Sequence, residues 1–333
     1  MFLVVVGHIT LFSFHLDEKP SFLFHFCCSI EMPLFTFLSG LMCKNIMDWE
    51  GIKSKFIKQC RRLLFPFFVF GFLYAYMSGC GGAKFLTTNS KIGYWYLPFL
   101  LQCYFLTYLY NVLHRYILRK SDKVWHLLCW VFLLIVIFFA IDHIDVVMRL
   151  TTLPRSAEIE NKVMLVRDIL GVPNLFYYYV FFIAGFMTRK YGWFEKLFNN
   201  RRLYELSCCL YCVLFLASFK INAISRFNIL SIWGIVCIVS IFYKMKDKSY
   251  PILKHFERWG KHSLSIYVLH YFFVVWCDLR VMTGYFKANQ TDTLQIFFTL
   301  FLSISFCYAC LFLCRLIKTS SVLSFICFGD KLR

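Results

Sequence analysis

The chain has 333 residues, of which 60% are hydrophobic, 21% aromatic and 16% charged, and its formal net charge is +18. A soluble domain is about 45–50% apolar and about 25% charged, so the composition excludes an ordinary soluble protein. The Lys and Arg residues fall between apolar runs rather than on one polar face, which excludes a basic nucleic-acid-binding module. The sequence therefore predicts one membrane-embedded domain over residues 1–333, with no separate soluble domain.

Ten apolar segments follow one another along the chain, and helices are the open-ended elements that satisfy their own backbone hydrogen bonds in lipid. Several segments are shorter than the ~20 residues needed to cross the hydrocarbon core, so flanking residues must extend them. We therefore predict an all-α, polytopic membrane helix bundle with about ten transmembrane helices. The segments are residues 1–16, 21–43, 63–79, 94–113, 126–141, 174–188, 203–219, 229–243, 263–277 and 294–314.

Basic residues concentrate in alternate connections between these segments, whereas the intervening connections are sparse or balanced in charge. The positive-inside rule places the basic connections in the cytoplasm, and all of them share one side only if the number of spans is even. This predicts a multi-pass protein of the inner (plasma) membrane with both termini cytoplasmic. The basic stretches are residues 44–62, 114–125, 189–202, 244–262 and 315–333.

The longest outward connection, residues 142–173, mixes acidic and basic side chains. Its ordinary interpretation is a solvated loop that contains a short surface helix. The functional alternative is a lid or an acceptor-binding loop, because loops frequently carry binding residues.

The sixteen cysteines lie mostly inside apolar runs, as Cys27, Cys28 and Cys314 do. The pairs Cys209/Cys212 and Cys307/Cys310 have the spacing of metal ligands but no neighbouring charged or histidine partner. Cysteine is a common small buried hydrophobe, so we predict neither a metal site nor a disulfide framework. The eight clearest examples are Cys27, Cys28, Cys208, Cys209, Cys212, Cys307, Cys310 and Cys314.

Ionisable side chains inside apolar segments are costly in a bilayer and mark candidate functional sites. Counted from the predicted outer ends of their segments, His8, Glu31 and His270 all lie roughly 10–15 Å below the outer face at 1.5 Å per residue. His25 lies nearer to that face. The alternative for each group is a structural hydrogen bond between helices. Three such groups at matched depth favour a functional site.

The first helix begins unusually close to its histidine. Seven residues precede His8, and none of them is charged. Two interpretations stay open: the chain starts deep in the membrane, or the natural N-terminus lies upstream of Met1.

Three further patterns bear on function. Pro33 lacks an N–H, so the carbonyl of Ser29 loses its helical partner, and such irregular backbone is tolerated beside a cavity or buried in protein. Ser39 and Gly40 are small enough to let a neighbouring helix approach closely.

The basic residues before Pro66 are explained either by the positive-inside rule or by a phosphate-binding cluster. These basic residues are Lys58, Arg61 and Arg62.

At these positions the sequence resembles the acyltransferase 3 family, membrane-bound O-acyltransferases that modify bacterial surface polysaccharides. Each matching piece is weak alone, but their order and spacing extend over almost the whole chain. The pieces are Val4–His8, Met32–Gly40, Arg61–Pro66, Tyr94–Pro98, Phe181–Gly185 and Gly260–His270. One departure is Glu31, since many members have histidine directly before the Met-Pro-Leu-Phe motif.

The resemblance implies a ten-helix fold, acyl transfer from cytoplasmic acyl-CoA without a permanently bound cofactor, and a catalytic His8. Transfer to a sugar hydroxyl requires a base, and histidine, with an ordinary pKa near 6.5, suits that role. We predict that Glu31 orients the His8 ring or stabilises its cation, as carboxylates do in catalytic triads. Lys58, Arg61 and Arg62 are predicted to hold the CoA phosphates at the cytoplasmic mouth.

The predicted product is an acylated, first of all acetylated, cell-surface polysaccharide or glycolipid precursor. His270 and Ser39 are further candidates for the site. The alternative from another class is a proton-coupled transporter or flippase, in which His8, Glu31 and His270 relay protons or line a substrate path. A shortened, inactive family member is a third interpretation.

Overall fold

The computed structural model describes residues 1–14, 22–118, 124–143, 157–221, 229–288 and 292–331. Within these ranges every regular element is helical and no strand is present, which confirms the all-α prediction. The helices are α1 Phe2–His8, α2 Phe22–Leu41, α3 Trp49–Met77, α4 Gly82–Thr87, α5 Tyr96–Leu113, α6 Val124–Asp142, α7 Ala157–Leu170, α8 Val172–Lys190, α9 Phe194–Phe198, α10 Arg201–Ser218, α11 Ile229–Met245, α12 Pro251–Lys261, α13 Ser263–Trp276, α14 Arg280–Ala288, α15 Asp292–Ile317 and α16 Ser321–Phe328. Short π-helical turns follow α1 and α5, and a 3₁₀ turn precedes α5.

Each of the ten predicted apolar segments overlaps one of these helices, and α3 begins well before its segment, at Trp49. Among the described residues, five helical stretches are long and apolar enough to cross a membrane, and a sixth is added if α13 and α14, bent by 74° at their junction, count as one broken span. The five are Phe22–Leu41, Trp49–Met77, Val124–Asp142, Asn161–Lys190 and Thr293–Ile317. A count of about ten spans and cytoplasmic termini stay predictions.

The described helices group into two compact units. The first unit contains Met1–Phe35 and Gly192–Ser324. In it α1 packs against α13 and α15, α10 lies along α11, and α14 packs against α15.

The second unit contains Thr36–Tyr191 and Phe325–Leu332. Its helices α3 and α8 both pack against α5, and α6 packs against α8. The short helix α7 contacts α4, α6 and α8. The contact between α4 and α7 is reinforced by buried Lys91, whose ammonium donates hydrogen bonds to the carbonyls of Leu86 (2.6 Å), Thr88 (2.8 Å) and Asp168 (3.0 Å).

Helix α7 lies in the long outward connection, where a short surface helix was expected, but its residues from Asn161 onward belong to the candidate span Asn161–Lys190. Residues 144–156 of that connection and residues 119–123 of one basic connection lie outside the described residues.

Pro33 lies inside α2, and the carbonyl that it leaves without a helical partner is capped from another helix. The hydroxyl of Ser231 on α11 donates to Ser29 O at 2.6 Å. The predicted loss of a backbone partner at Ser29 is therefore repaired by a side chain in the first unit.

The second unit contains the close helix approach predicted at Gly40. A Cβ at Gly40 would lie 1.9 Å from Phe182 O, and a Cβ at Gly185 would lie 2.0 Å from Phe37 O. Helices α2 and α8 thus meet backbone to backbone, which confirms the predicted packing role of the small residue.

All sixteen cysteines are free thiols. Cys27, Cys307, Cys310 and Cys314 are buried as expected. The prediction of burial is wrong for Cys28, Cys209 and Cys212, which lie on exposed helix faces. Apolar faces of membrane helices can be turned to lipid, so an apolar run in the sequence does not distinguish a buried position from a lipid-facing one.

Candidate functional site

His8 is the last residue of α1, and the backbone changes its hydrogen-bonding pattern directly after it. Ile9–Ser13 form a π-helical turn, in which Phe14 N–H donates to Ile9 O at 3.1 Å. Such single π turns within helices occur frequently at functional sites. The helix therefore becomes irregular directly after His8, the residue that the sequence predicts to be the base.

The end of this π turn is anchored to the break between α13 and α14. Leu279 N–H donates to Ser13 O at 2.8 Å, and Ser13 Oγ donates to Val274 O at 2.9 Å. Thr283 Oγ1 donates to Phe14 O at 2.7 Å. Two interrupted helices thus satisfy each other's free backbone groups, and this fixes the first helix beside the helix that carries His270.

The rings of His8 and His270 are nearly coplanar and meet edge to edge. His8 Nδ1 is 2.7 Å from His270 Nε2, and the ring planes are 4° from parallel with centroids 5.0 Å apart. On the other side of the His8 ring, the hydroxyl of Tyr271 lies 3.3 Å from Nε2. The predicted depth match of His8 and His270 therefore corresponds to a direct contact.

The backbone of α13 determines which nitrogens carry protons. His270 Nδ1 lies 2.7 Å from Tyr267 O and 3.0 Å from Ile266 O, and a carbonyl can only accept a hydrogen bond. His270 Nδ1 therefore carries the proton, and in the neutral ring Nε2 must accept. His8 Nδ1–H then donates to His270, so His8 Nε2 is the unprotonated, basic nitrogen and accepts a hydrogen bond from the Tyr271 hydroxyl.

The two histidines differ in access. His270 is 0% exposed and Tyr271 is 3% exposed, whereas His8 is half-buried. A substrate can therefore touch His8 but not His270. This arrangement suits His8 for proton transfer and His270 for holding its ring and tautomer.

Glu31 lies against α1 at Gly7, the residue before His8, and no described hydrogen bond joins it to the His8 ring. A Cβ at Gly7 would come within 2.9 Å of Glu31 Oε2, so the absence of a side chain at Gly7 lets the carboxyl group approach α1. Glu31 Oε2 is buried, and no described group donates a hydrogen bond to it. The ring contact expected of Glu31 is thus made by His270.

The basic candidates lie on α3 in the second unit, and they differ in burial. Lys58 and Arg62 are exposed, whereas Arg61 is half-buried. Arg61 Nε is fully shielded from solvent and has no described hydrogen-bond partner. Pro66 has no N–H, so the carbonyl of Arg62 also lacks its helical donor. Within the described residues, Arg61 Nε is therefore a donor without an acceptor on this turn of α3.

Ser39, the remaining candidate, lies in the second unit, where its Oγ is 3.1 Å from the hydroxyl of Tyr96. The structure brings His8 and His270 into contact and places Glu31 against Gly7, all in the first unit. It places Ser39, Lys58, Arg61 and Arg62 in the second unit.

Tyr271 was not among the site residues predicted from the sequence. Its signal was its position directly after His270, at the end of the matching piece that enters the ninth predicted segment. A tyrosine in an aromatic-rich apolar run has no mark that separates a site residue from a packing residue.

Within the described ranges no group of three or more His, Cys, Asp or Glu side chains is arranged to hold a metal ion.

Comparison with protein families gives a match to the model described as an acyltransferase domain, over residues 1–312. Comparisons with curated proteins and with solved structures return no match. The family match favours an enzyme over the transporter alternative and agrees with a histidine that presents a basic nitrogen. Because it covers most of the chain, and because several helices are apolar enough to cross a bilayer, the chain belongs to the acyltransferase 3 family and is a multi-pass membrane acyltransferase.

Proposed function

We propose that the protein transfers an acyl group, in the first place acetyl, from cytoplasmic acyl-CoA to a sugar hydroxyl. The acceptor is a cell-surface polysaccharide or a glycolipid precursor, and the protein works in the inner membrane. Family membership supplies the reaction class.

The observation that carries this proposal is the proton arrangement of the histidine pair. His270 Nδ1–H is bound to backbone carbonyls, so His270 accepts from His8 Nδ1–H, and His8 Nε2 is left unprotonated, where it accepts a hydrogen bond from the Tyr271 hydroxyl. A hydroxyl is a poor nucleophile until a base removes its proton. His8 Nε2 is suited to that task when the acceptor hydroxyl replaces Tyr271 O–H as its hydrogen-bond donor.

The proposed step begins when the acceptor O–H gives its proton to His8 Nε2 while its oxygen bonds to the thioester carbonyl carbon. The tetrahedral intermediate then collapses, its C–S bond breaks, and the CoA sulfur takes the proton from His8 Nε2–H. The products are a sugar ester and the free CoA thiol, and His8 returns to its starting tautomer. His270 keeps its own proton throughout and holds the ring.

The donor is assigned to the basic turn of α3. CoA is too highly charged to enter lipid, so its phosphates need cationic partners outside the hydrocarbon region. Arginine binds phosphate through planar, charge-assisted hydrogen bonds. Among the three candidates, Arg61 is favoured because its shielded Nε lacks a described partner.

The test uses purified protein in lipid nanodiscs with acetyl-CoA labelled in the acetyl group. We expect CoA thiol to be released and label to enter a glycolipid-enriched membrane fraction. His8→Gln, which keeps a polar side chain but cannot act as this base, should release no thiol above background. Thiol release at the wild-type rate by His8→Gln, or no transfer by the wild type to any glycan fraction, would overturn the proposal.

A further inference from the structure

The C-terminal segment of the chain contacts the donor arginine. Helix α16 ends at Phe328 and is followed by Gly329, which adopts the left-handed conformation with φ +63° and is buried. Gly329 N–H donates to Phe325 O at 2.8 Å, which closes the helix in the usual glycine-terminated form. This turn belongs to the second unit, as α3 does.

Gly329 touches both the backbone and the side chain of Arg61. A Cβ added at Gly329 would lie 2.3 Å from Arg61 O and 3.0 Å from Arg61 Cγ. Backbone cannot yield as the end of a flexible side chain does, so no other residue fits here without moving Arg61. Glycine at this position therefore sets how the Arg61 stem leaves α3.

Aromatic contacts hold α16 against the same part of α3. The ring of Phe325 meets Phe65 edge to face, with centroids 5.2 Å apart, and Phe328 packs 5.8 Å from Phe70. Phe328 is 3% exposed. Phe65 and Phe70 lie one turn or more beyond Arg61 on α3. Together with the contact at Gly329, they hold Phe325–Gly329 against the part of α3 from which the Arg61 side chain extends.

We propose that Phe325–Gly329 positions Arg61 to bind the phosphates of the acyl-CoA donor. This inference rests on the proposed function and adds to it a positioning segment. The family match ends at residue 312, so the segment lies outside the matched range. By fixing the stem, the segment holds the guanidinium before the donor arrives, which lowers the ordering cost of binding.

The test compares two glycines at helix ends in the same unit. Asn tolerates the left-handed conformation, so Gly329→Asn adds a side chain against Arg61 with little backbone strain. Gly79, which follows α3 with φ +68°, has no atom within 4 Å of an added Cβ. Gly79→Asn is therefore the matched control for a side chain at a left-handed helix end.

Two donors distinguish a loss of Arg61 positioning from a general loss of activity. They are acetyl-CoA and S-acetyl-pantetheine, which lacks phosphates. We expect Gly329→Asn to raise the KM for acetyl-CoA roughly tenfold, about the effect of one weakened charge-assisted hydrogen bond, and to leave kcat unchanged. Its kcat/KM for S-acetyl-pantetheine should equal the wild-type value. Gly79→Asn should change the kinetic constants for neither donor.

A Gly329→Asn variant with wild-type KM for acetyl-CoA, or with equal losses for both donors, would overturn the inference. Phe325→Leu, which keeps apolar volume but removes the ring contact with Phe65, replaces Gly329→Asn if that variant does not fold, under the same two criteria. Failure of the proposed function has a different signature, because the wild type would then transfer from neither donor.

Discussion

The histidine group of the first unit and the arginine turn of the second unit are built in opposite ways. His8 is held by polar contacts that specify every ring proton, from the Tyr267 carbonyl through His270. Arg61 is held by packing against Gly329, and its shielded Nε is left without a described partner. A group that must move a proton needs a defined tautomer before substrate arrives, whereas a group that binds an anion needs its donors kept available.

This comparison is tested most severely at His8. His8→Gln should lower kcat by about 10²–10⁴-fold, the range for loss of a general base. Acetyl transfer is measured in nanodiscs, and thermal stability serves as the check on folding. His25→Gln is the matched control, because His25 is also a half-buried histidine bound to another side chain, with its Nε2 2.6 Å from Ser218 Oγ. Equal losses in both variants would mean that intramembrane histidines matter here only for folding.

His270 distinguishes a positioning role from a purely structural one. His270→Leu removes the acceptor for His8 Nδ1–H, and loss of one buried hydrogen bond, about 1–3 kcal/mol, corresponds to roughly fivefold to a hundredfold in kcat. KM for either substrate should not change. His270→Gln places an amide oxygen within reach of His8 Nδ1–H and should recover part of kcat. No recovery in a stably folded Gln variant would count against the tautomer argument.

The arginine turn is tested through the donor KM. Arg61→Ala should raise the KM for acetyl-CoA about tenfold to a hundredfold, since a charge-assisted hydrogen bond contributes about 1.5–3 kcal/mol. Arg62→Ala, which removes the same charge from an exposed position, should have a several-fold smaller effect. Initial rates at varied acetyl-CoA measure both values. Equal KM values for the two variants would mean that the difference in burial between Arg61 and Arg62 does not affect donor binding.

A smaller effect than at His8 is expected at Glu31, which lies against α1 at Gly7 and has no described hydrogen bond to the His8 ring. If its carboxylate stabilises the His8 cation, Glu31→Gln should lower kcat about tenfold, less than removal of the base itself. Gly7→Ala should produce a similar loss, because its methyl group would lie 2.9 Å from Glu31 Oε2. Wild-type turnover in Glu31→Gln would leave Glu31 with a structural role.

The local features of this molecule could be predicted from sequence, and its long-range contacts could not. Apolar length predicted a helix in each of ten segments, and the missing N–H of Pro33 predicted the free Ser29 carbonyl. Depth counting placed His8 and His270 in one layer. Whether their rings meet depends on the rotation of two helices, which the π turn after His8 alters. The sequence has no periodic signal for such a turn.

The contact between Arg61 and Gly329 was unpredictable for a related reason. It joins residues far apart in the chain, and neither helix pattern nor charge indicates that α16 packs on α3. Glu31 was assigned the partner role of His270 because a carboxylate is the common partner of a catalytic histidine. The sequence did not reveal that the backbone of α13 orients a second histidine for that role.

The reciprocal glycines of α2 and α8 have a consequence for reading mutational screens. At Gly40 and Gly185 any side chain would collide with a carbonyl of the opposite helix, so a change at one glycine cannot be offset at the other. A screen that measures activity alone would find changes at both glycines as harmful as changes at His8, although neither glycine takes part in the chemistry. Protein abundance in the membrane separates the two classes: glycine variants should disappear from it, whereas His8 variants should accumulate normally.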